Sequence, residues 1–282
     1  MVESMPGVKQ RPLMRAVVYV PLILTAIYFL LPLIVMLLTS VKTMDEIRAG
    51  NLLSLPATLT FEPWAKAWDK MGGTFTNSFM IVVPAVAIST AVGAFNGFVL
   101  TKWRFRGSEL LFGMLLVGCF IPFQVILLPM ARTLGLLGLA GTTGGLILVH
   151  VIYGLAFTTL FFRNFYVAVP DELVKAARID GAGFFTIFWR IILPLSGPII
   201  VVSVIWQFTQ IWNDFLFGVV YSSGETQPIT VALNNLVNTS TGVKEYNVDM
   251  AAALLAALPT LVVYILAGKH FVAGLTAGAV KG

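Results

Sequence analysis

The 282-residue sequence is 58% hydrophobic and only 11% charged, with a mean hydropathy of +0.90. A water-soluble domain carries about a quarter charged residues, so these values exclude one and leave a polytopic membrane protein whose apolar surface faces lipid. The net charge of +5 makes no case for nucleic acid, because the basic residues sort by loop, and the single cysteine, Cys119, excludes a disulfide framework.

Six apolar runs are each long enough to cross a hydrocarbon layer of about 30 Å at about 1.5 Å per residue. They lie at 15–39, 78–101, 110–131, 143–162, 195–220 and 250–268. The predicted fold is all-α, a single six-span transmembrane domain over 1–282. Lys9, Arg11 and Arg15 precede the first run, as in a secretory leader. The run exceeds a leader's core of about 7–15 residues, and no small-x-small cleavage site follows in "TSVKTMDE", so a retained helix is expected. Prolines 21, 32, 84, 122 and 259 fall inside runs. Neighbouring helices can satisfy the carbonyls they free.

The segment 40–77, with Trp64 and Trp68, is either a surface for an external partner or a connector, and so is 221–249. In the second run Gly93 and Gly97 have the spacing that lets helix backbones approach closely. Asn96, Gln124 beside Pro122, and His150 are isolated polar residues, expected to be satisfied by neighbouring helices. If the N-terminus is cytoplasmic, the segments 1–15, 102–109, 163–194 and 269–282 are inside and hold twelve of the 18 Lys and Arg residues. That bias predicts both termini inside.

The inside segment 163–194 contains "KAARIDGAGFFTIFWRIILP", a charged patch between two apolar runs. Pro170 fits a first helical turn, and Asp171 and Glu172 suit its positive end. Leu173, Ala176, Ala177 and Asp180 follow at i, i+3, i+4 and i+7, predicting one small, apolar face. Gly181 and Gly183 are expected to break the helix. A second helix resumes through "FFTIFWRII", with Phe184, Phe188 and Ile191 on one face, and Pro194 ends it. Such a pair of bent helices either floats on lipid or docks on a protein. A lipid-facing stripe favours large side chains and leaves Ala176 and Ala177 unexplained, so docking is the favoured reading.

In the fifth run Ser203, Gln207, Gln210 and Asp214 recur along one helical stripe, with Trp206 at its edge and Asn213 just beyond. Asp214 is an acid close to or inside the apolar zone and therefore a candidate functional residue. The amides offer donors and acceptors for hydroxyl groups, and the indole a stacking face. The competing reading is polar contact between helices.

No G-x-x-x-x-G-K-[S/T] occurs, and "GAGFFT" lacks the third glycine and preceding strand of a dinucleotide fingerprint. His150 and His270 stand apart with no cluster of ligands, so a metal site and a hydrolase triad are not expected. Neither an enzyme nor a cofactor site in this chain is expected. An ion-coupled secondary sugar transporter is one reading of such a polytopic chain. It would usually show inverted repeats and intramembrane charges, whereas this sequence has one such Asp and no repeat.

Ala176, Ala177, Asp180, Gly181, Ala182 and Pro194 resemble, in place, the EAA loop of importer-type ABC transporter permeases. Lys175 departs from that family's usual Glu and puts any ion pair made there in doubt. "NSF" opening the second run, "WRFRG" after it, "WNDFLF" in the fifth and the ending "GLTAGAVKG" are similar to carbohydrate-uptake permeases of the maltose MalG-like and glycerol-phosphate types. The resemblance spans nearly the whole chain. It implies a bacterial inner-membrane permease that pairs with a second, related permease and takes sugar from an extracytoplasmic binding protein. ATP and Mg would be bound by two partner ATPase subunits. Leu173, Lys175, Ala176, Ala177, Asp180, Gly181, Ala182, Phe188 and Pro194 would form the coupling element. The tail, with Lys281 and Gly282, would reach toward the ATPases.

Overall fold

The computed structural model describes residues 12–50, 53–238 and 244–277. In chain order the helices are α1 (Pro12–Ser40), α2 (Met44–Arg48), α3 (Glu62–Lys102), α4 (Ser108–Phe120), α5 (Phe123–Leu136), α6 (Thr143–Val167), α7 (Asp171–Ile179) and α8 (Phe184–Ile187). A π-helical turn, Phe188–Ile192, leads into α9 (Leu193–Leu195), followed by α10 (Gly197–Trp212), α11 (Leu216–Tyr221), α12 (Ile229–Val237) and α13 (Tyr246–Ala277). Among the described residues there is no strand, only an isolated bridge between Gly141 and Ser222.

Four helices are each long and apolar enough to cross a bilayer, and two bent pairs, Ser108–Phe120 with Phe123–Leu136 and Phe184–Leu195 with Gly197–Trp212, raise the number to as many as six if each pair is one span. The bent pairs correct the expectation of six simple spans. The run 110–131 is two helices, α4 and α5, meeting at 104°. Pro122 is the cause: it pushes Ile121 to an extended ψ of 118°, outside the helical region. The run 195–220 also divides, because α10 stops at Trp212 and α11 starts at Leu216. Pro21, Pro32, Pro84 and Pro259 by contrast sit inside continuous helices. The segment 40–77 is less of a loop than expected, since α3 already begins at Glu62.

The described residues pack as two compact units, one drawn from 1–69 and 240–255 and the other from 70–239 and 256–282. In the first, Thr43 caps α2 by accepting the Glu46 N–H, and the Trp64 indole donates to the Ser40 hydroxyl. Lys66 bridges Glu62 at 3.0 Å and Glu245 at 2.9 Å, while the Asn247 amide donates to the Lys42 carbonyl. From Ala16 to Ser40 only Thr39 and Ser40 are buried within the chain, so α1 offers its apolar surface outward almost all round.

The second unit has a buried core shared by α3, α6, α7, the π turn and α10. Phe98 and Ala94 of α3, Phe162 and Tyr166 of α6, Val174 and Ala177 of α7, Phe188 and Ile192 of the π turn, and Ile199 and Val202 of α10 form one buried cluster. Gly93 and Gly97 let α3 and α6 meet, as the spacing predicted. A Cβ on Gly97 would lie 2.7 Å from the Phe162 Cβ, and one on Gly93 would overlap Thr158. Asn96 donates to the Thr159 hydroxyl across the same seam.

Candidate functional site

Two places in the second unit carry functional geometry. One is the bend between α7 and α8, and the other is a cavity walled by α4, α5, α6, α10 and α11.

Helix α7 ends in a Schellman cap. Gly181 takes φ +81°, the left-handed region open to glycine. The Ala182 N–H then reaches back to the Ala177 carbonyl at 2.9 Å and the Gly181 N–H to that of Arg178 at 3.1 Å. These are the two bonds that satisfy the last carbonyls of a helix closed this way. The spacing Ala-x-x-Asp-Gly-Ala is thus a helix stop written in sequence. Gly183 contributes no such freedom: its φ of −76° and ψ of 172° suit any residue.

Beyond the bend, α8 and the π turn run as one bent rod toward α10. Leu193 donates to the Phe188 carbonyl in the wider π register, a common accommodation near a proline. Pro194 therefore does not end the helix as expected. The 77° bend to α10 falls after Leu195, at Ser196. There the Ser196 hydroxyl donates to the Ile192 carbonyl at 2.7 Å and bonds the Tyr166 hydroxyl at 2.8 Å.

The predicted small face of α7 is split. Ala177 turns inward with Val174 into the common core, while Leu173, Lys175, Ala176, Asp180 and Gly181 are exposed and Ala182 is half-buried. Phe188 is likewise a core residue, packed on Phe95 and Phe98 with ring centroids 5.4 and 5.3 Å away. The apolar groups left outside are Ile179, Phe185 and Trp189, which are 86%, 65% and 61% exposed, together with Leu173. The helical period explains the division: 174 and 177 share the inward stripe, and 173 and 176 the outward one. Pro194 is exposed. Lys281 and Gly282 lie outside the described residues.

Sequence reasoning missed how the bend is held. Lys102, the last residue of α3, donates to the Val169 carbonyl and to Asp171 Oδ1, both at 2.5 Å. The ammonium beside it holds the Asp171 carboxyl below the usual carboxylate range. The next residue, Trp103, lies under the Arg178 guanidinium at 4.1 Å and meets the Phe184 ring edge-on at 5.0 Å. The "WRFRG" stretch was the available signal, since its first residue is this Trp.

The cavity measures about 690 Å³ and opens where two helices are interrupted. At the α4–α5 break, the Ile121 carbonyl accepts the Tyr153 hydroxyl at 2.9 Å. At the α10–α11 break, Asp214 takes the Phe217 and Gly218 N–H groups at 3.4 and 3.1 Å, so the carboxylate caps α11. His150 Nε2 stands 3.8 Å from Asp214 Oδ2. Phe120, Phe123, Tyr153, Phe157, Trp206 and Phe217 supply an aromatic wall. Trp206, Gln210, Asn213 and Asp214 line this space. Gln207 also borders this space but its amide is turned into the seam with α3, where Ser203 lies as well. Gln207 is 2% exposed and donates to the Ser89 hydroxyl at 2.6 Å, and Ser203 bonds Thr90 at 3.2 Å. A Cβ at Gly154 would overlap the Gln207 amide, so that glycine makes room for it. The aromatic wall and the broken third span were not foreseen; Pro122 beside Gln124 in an apolar run was their sequence signal.

A helical membrane protein with interrupted helices around a polar and aromatic cavity fits the class of transport subunits. The comparisons narrow it further. The chain belongs to the family of binding-protein-dependent transport system inner membrane components, whose sequence profile matches residues 89–271. It is 42% identical over 270 residues to the probable ABC transporter permease protein PH1216 of Pyrococcus horikoshii, covering 95% of this chain and 98% of that one. It is 31% identical over 271 residues to the xylose/arabinose import permease protein XacI of Haloferax volcanii, covering 88% and 87%. Its fold matches a chain of a bacterial ABC transporter involved in the import of the acidic polysaccharide alginate, with TM-score 0.84 at 20% identity, over 95% of this chain and 100% of that one.

Proposed function

We propose that this permease subunit forms, with a second and related permease, the membrane pathway of an ATP-driven importer for a sugar or sugar-like solute. An extracytoplasmic binding protein delivers the solute. A pair of ATPase subunits, holding ATP and Mg, docks on the exposed side of the α7–α8 elbow, and both termini of this chain lie on that cytoplasmic side. Lys175, Ala176, Asp180, Gly181 and Leu173 present the docking surface, with Ile179, Phe185 and Trp189 around it. The inward residues Ala177, Ala182 and Phe188 and the π turn before Pro194 stiffen the elbow from behind.

The observation that carries this reading is the cavity at the paired helix breaks. Its aromatic faces match the apolar faces of a sugar ring, and Gln210, Asn213 and Asp214 match hydroxyl groups. Helix breaks at membrane depth are tolerated where they line a cavity. Trp206 belongs to this wall, while Gln207 mainly joins α10 to α3. Nucleotide binding drives transport only if the ATPases prefer one arrangement of the elbow over another. A rigid elbow passes that preference on by moving as one body.

The test is reconstitution in sealed vesicles. The four-subunit complex with its binding protein should accumulate solute only with Mg-ATP. Accumulation driven by an ion gradient in this chain alone would establish the secondary-transporter alternative and overturn the proposal.

A further inference from the structure

We propose that Lys102 is a positioning residue for energy coupling, clamping the first coupling helix to the end of α3 so that elbow and α3 move together. The inference rests on the docking role of the elbow given above and adds the element that carries motion away from it.

Helix α8 and the π turn are held to α3 by aromatic packing, Phe184 and Phe188 against Phe95 and Phe98. Helix α7 has a smaller apolar anchor, since only Val174 and Ala177 are buried. What ties α7 down at each end is the pair 102–103. The Lys102 side chain is 4% exposed and takes one partner from the chain just before α7 and one from its first residue. A buried ammonium is costly unless paired, so its two oxygen partners hold it, and it holds them. Trp103 grips the other end through Arg178. Helix α3 also packs along α10, where Ser89 and Thr90 bond Gln207 and Ser203. One unbroken helix, Glu62–Lys102, thus touches the elbow at its end and the cavity-lining helix in its middle. A displacement of α7 reaches α10 through it only while the clamp is closed.

The native Cys119 lines the cavity and is the only cysteine in the chain, which makes it a reporter that needs no known solute. The complete complex in lipid nanodiscs is exposed to a maleimide with and without Mg-ATP and vanadate, and labelling of the Cys119 peptide is followed by mass spectrometry. In the wild-type complex Mg-ATP should change the labelling rate. In Lys102→Met the ATPases should still co-purify and hydrolyse ATP, because Asp171 is 66% exposed and finds water once its partner is gone. The Mg-ATP effect on Cys119 should fall by at least about fivefold, a typical coupling factor, and Lys102→Arg should restore much of it. Asp171→Asn should weaken the effect in the same direction, and serves if Lys102→Met does not accumulate. A wild-type response in Lys102→Met, or in Asp171→Asn where the first is not recovered, overturns the clamp. So does a wild-type complex whose Cys119 ignores Mg-ATP. If the ATPases fail to co-purify with the wild-type chain, the docking role itself falls.

Discussion

The elbow and the cavity are both built on interrupted helices, yet they close their interruptions differently. At Gly181 the freed carbonyls of α7 are met by backbone N–H groups of the next two residues. At the cavity the freed groups are met by side chains: the Tyr153 hydroxyl on the Ile121 carbonyl, and the Asp214 carboxylate on two N–H groups of α11. A backbone-closed break has no other partner to choose and stays fixed. A break closed by side chains can exchange partners with a hydroxylated ligand at small net cost, because one hydrogen bond replaces another. A coupling lever needs the first property and a binding wall needs the second.

The largest expected effect tests the fixed break. Gly181→Val places a β-branched side chain at φ +81°, a strain of roughly 1–3 kcal/mol, although the space around the position is open. The strain should undo the cap and change the bend. Transport coupled to ATP hydrolysis should fall by about tenfold or more for each 1.4 kcal/mol lost from the docked arrangement. Co-purification with the ATPases and solute taken up per ATP are the measurements. Unchanged values for both would remove the coupling role from the elbow.

Next comes the exchangeable break. Asp214→Ala removes the cap of α11 and should cost about 0.5–2 kcal/mol, as for other lost caps, seen as a lower melting temperature of the detergent-solubilised complex. Gln207→Ala should cost about 1–3 kcal/mol by leaving the buried Ser89 hydroxyl without that donor, with little change in apparent solute affinity beyond the stability loss. Gln210→Ala should do the reverse: stability holds, and apparent affinity in uptake assays drops by about fivefold, the loss of roughly 1 kcal/mol in one hydrogen bond. If both glutamine variants behave alike, the stripe is one functional surface and the division between cavity and seam is wrong.

That division marks the boundary of what the sequence reveals. The apolar helices and the elbow are legible because each rests on local composition: apolar length, and a helix stop spelled by Asp180, Gly181 and Ala182. Which way each polar residue on α10 points is not local. Ser203, Gln207, Gln210 and Asp214 share one stripe by period, but Ser89, Thr90 and Gly154 on two other helices decide that the first two are buried. The same holds for α7, where the inward turn of Ala177 follows from Phe188 and the α3 aromatics rather than from its own neighbours. Pro122 broke its helix while Pro84 did not, although both sit in apolar runs. Sequence alone did not separate them, because the freed Ile121 carbonyl depends on Tyr153, in another helix.

The smallest expected effect sharpens the lesson of the elbow by using its second glycine. Both Gly181 and Gly183 read in sequence as breakers, but only the first occupies the left-handed region. Gly183 has extended angles, and no atom lies within 4 Å of where its Cβ would sit. Gly183→Ala therefore keeps the native geometry and narrows the unfolded ensemble, a gain of about 0.4–1 kcal/mol. The melting temperature should hold or rise slightly, with solute carried per ATP unchanged. A coupling loss comparable to that of Gly181→Val would mean that the ATPase cleft needs a bare backbone at both positions. The elbow would then act through close approach of its main chain as well as through its shape.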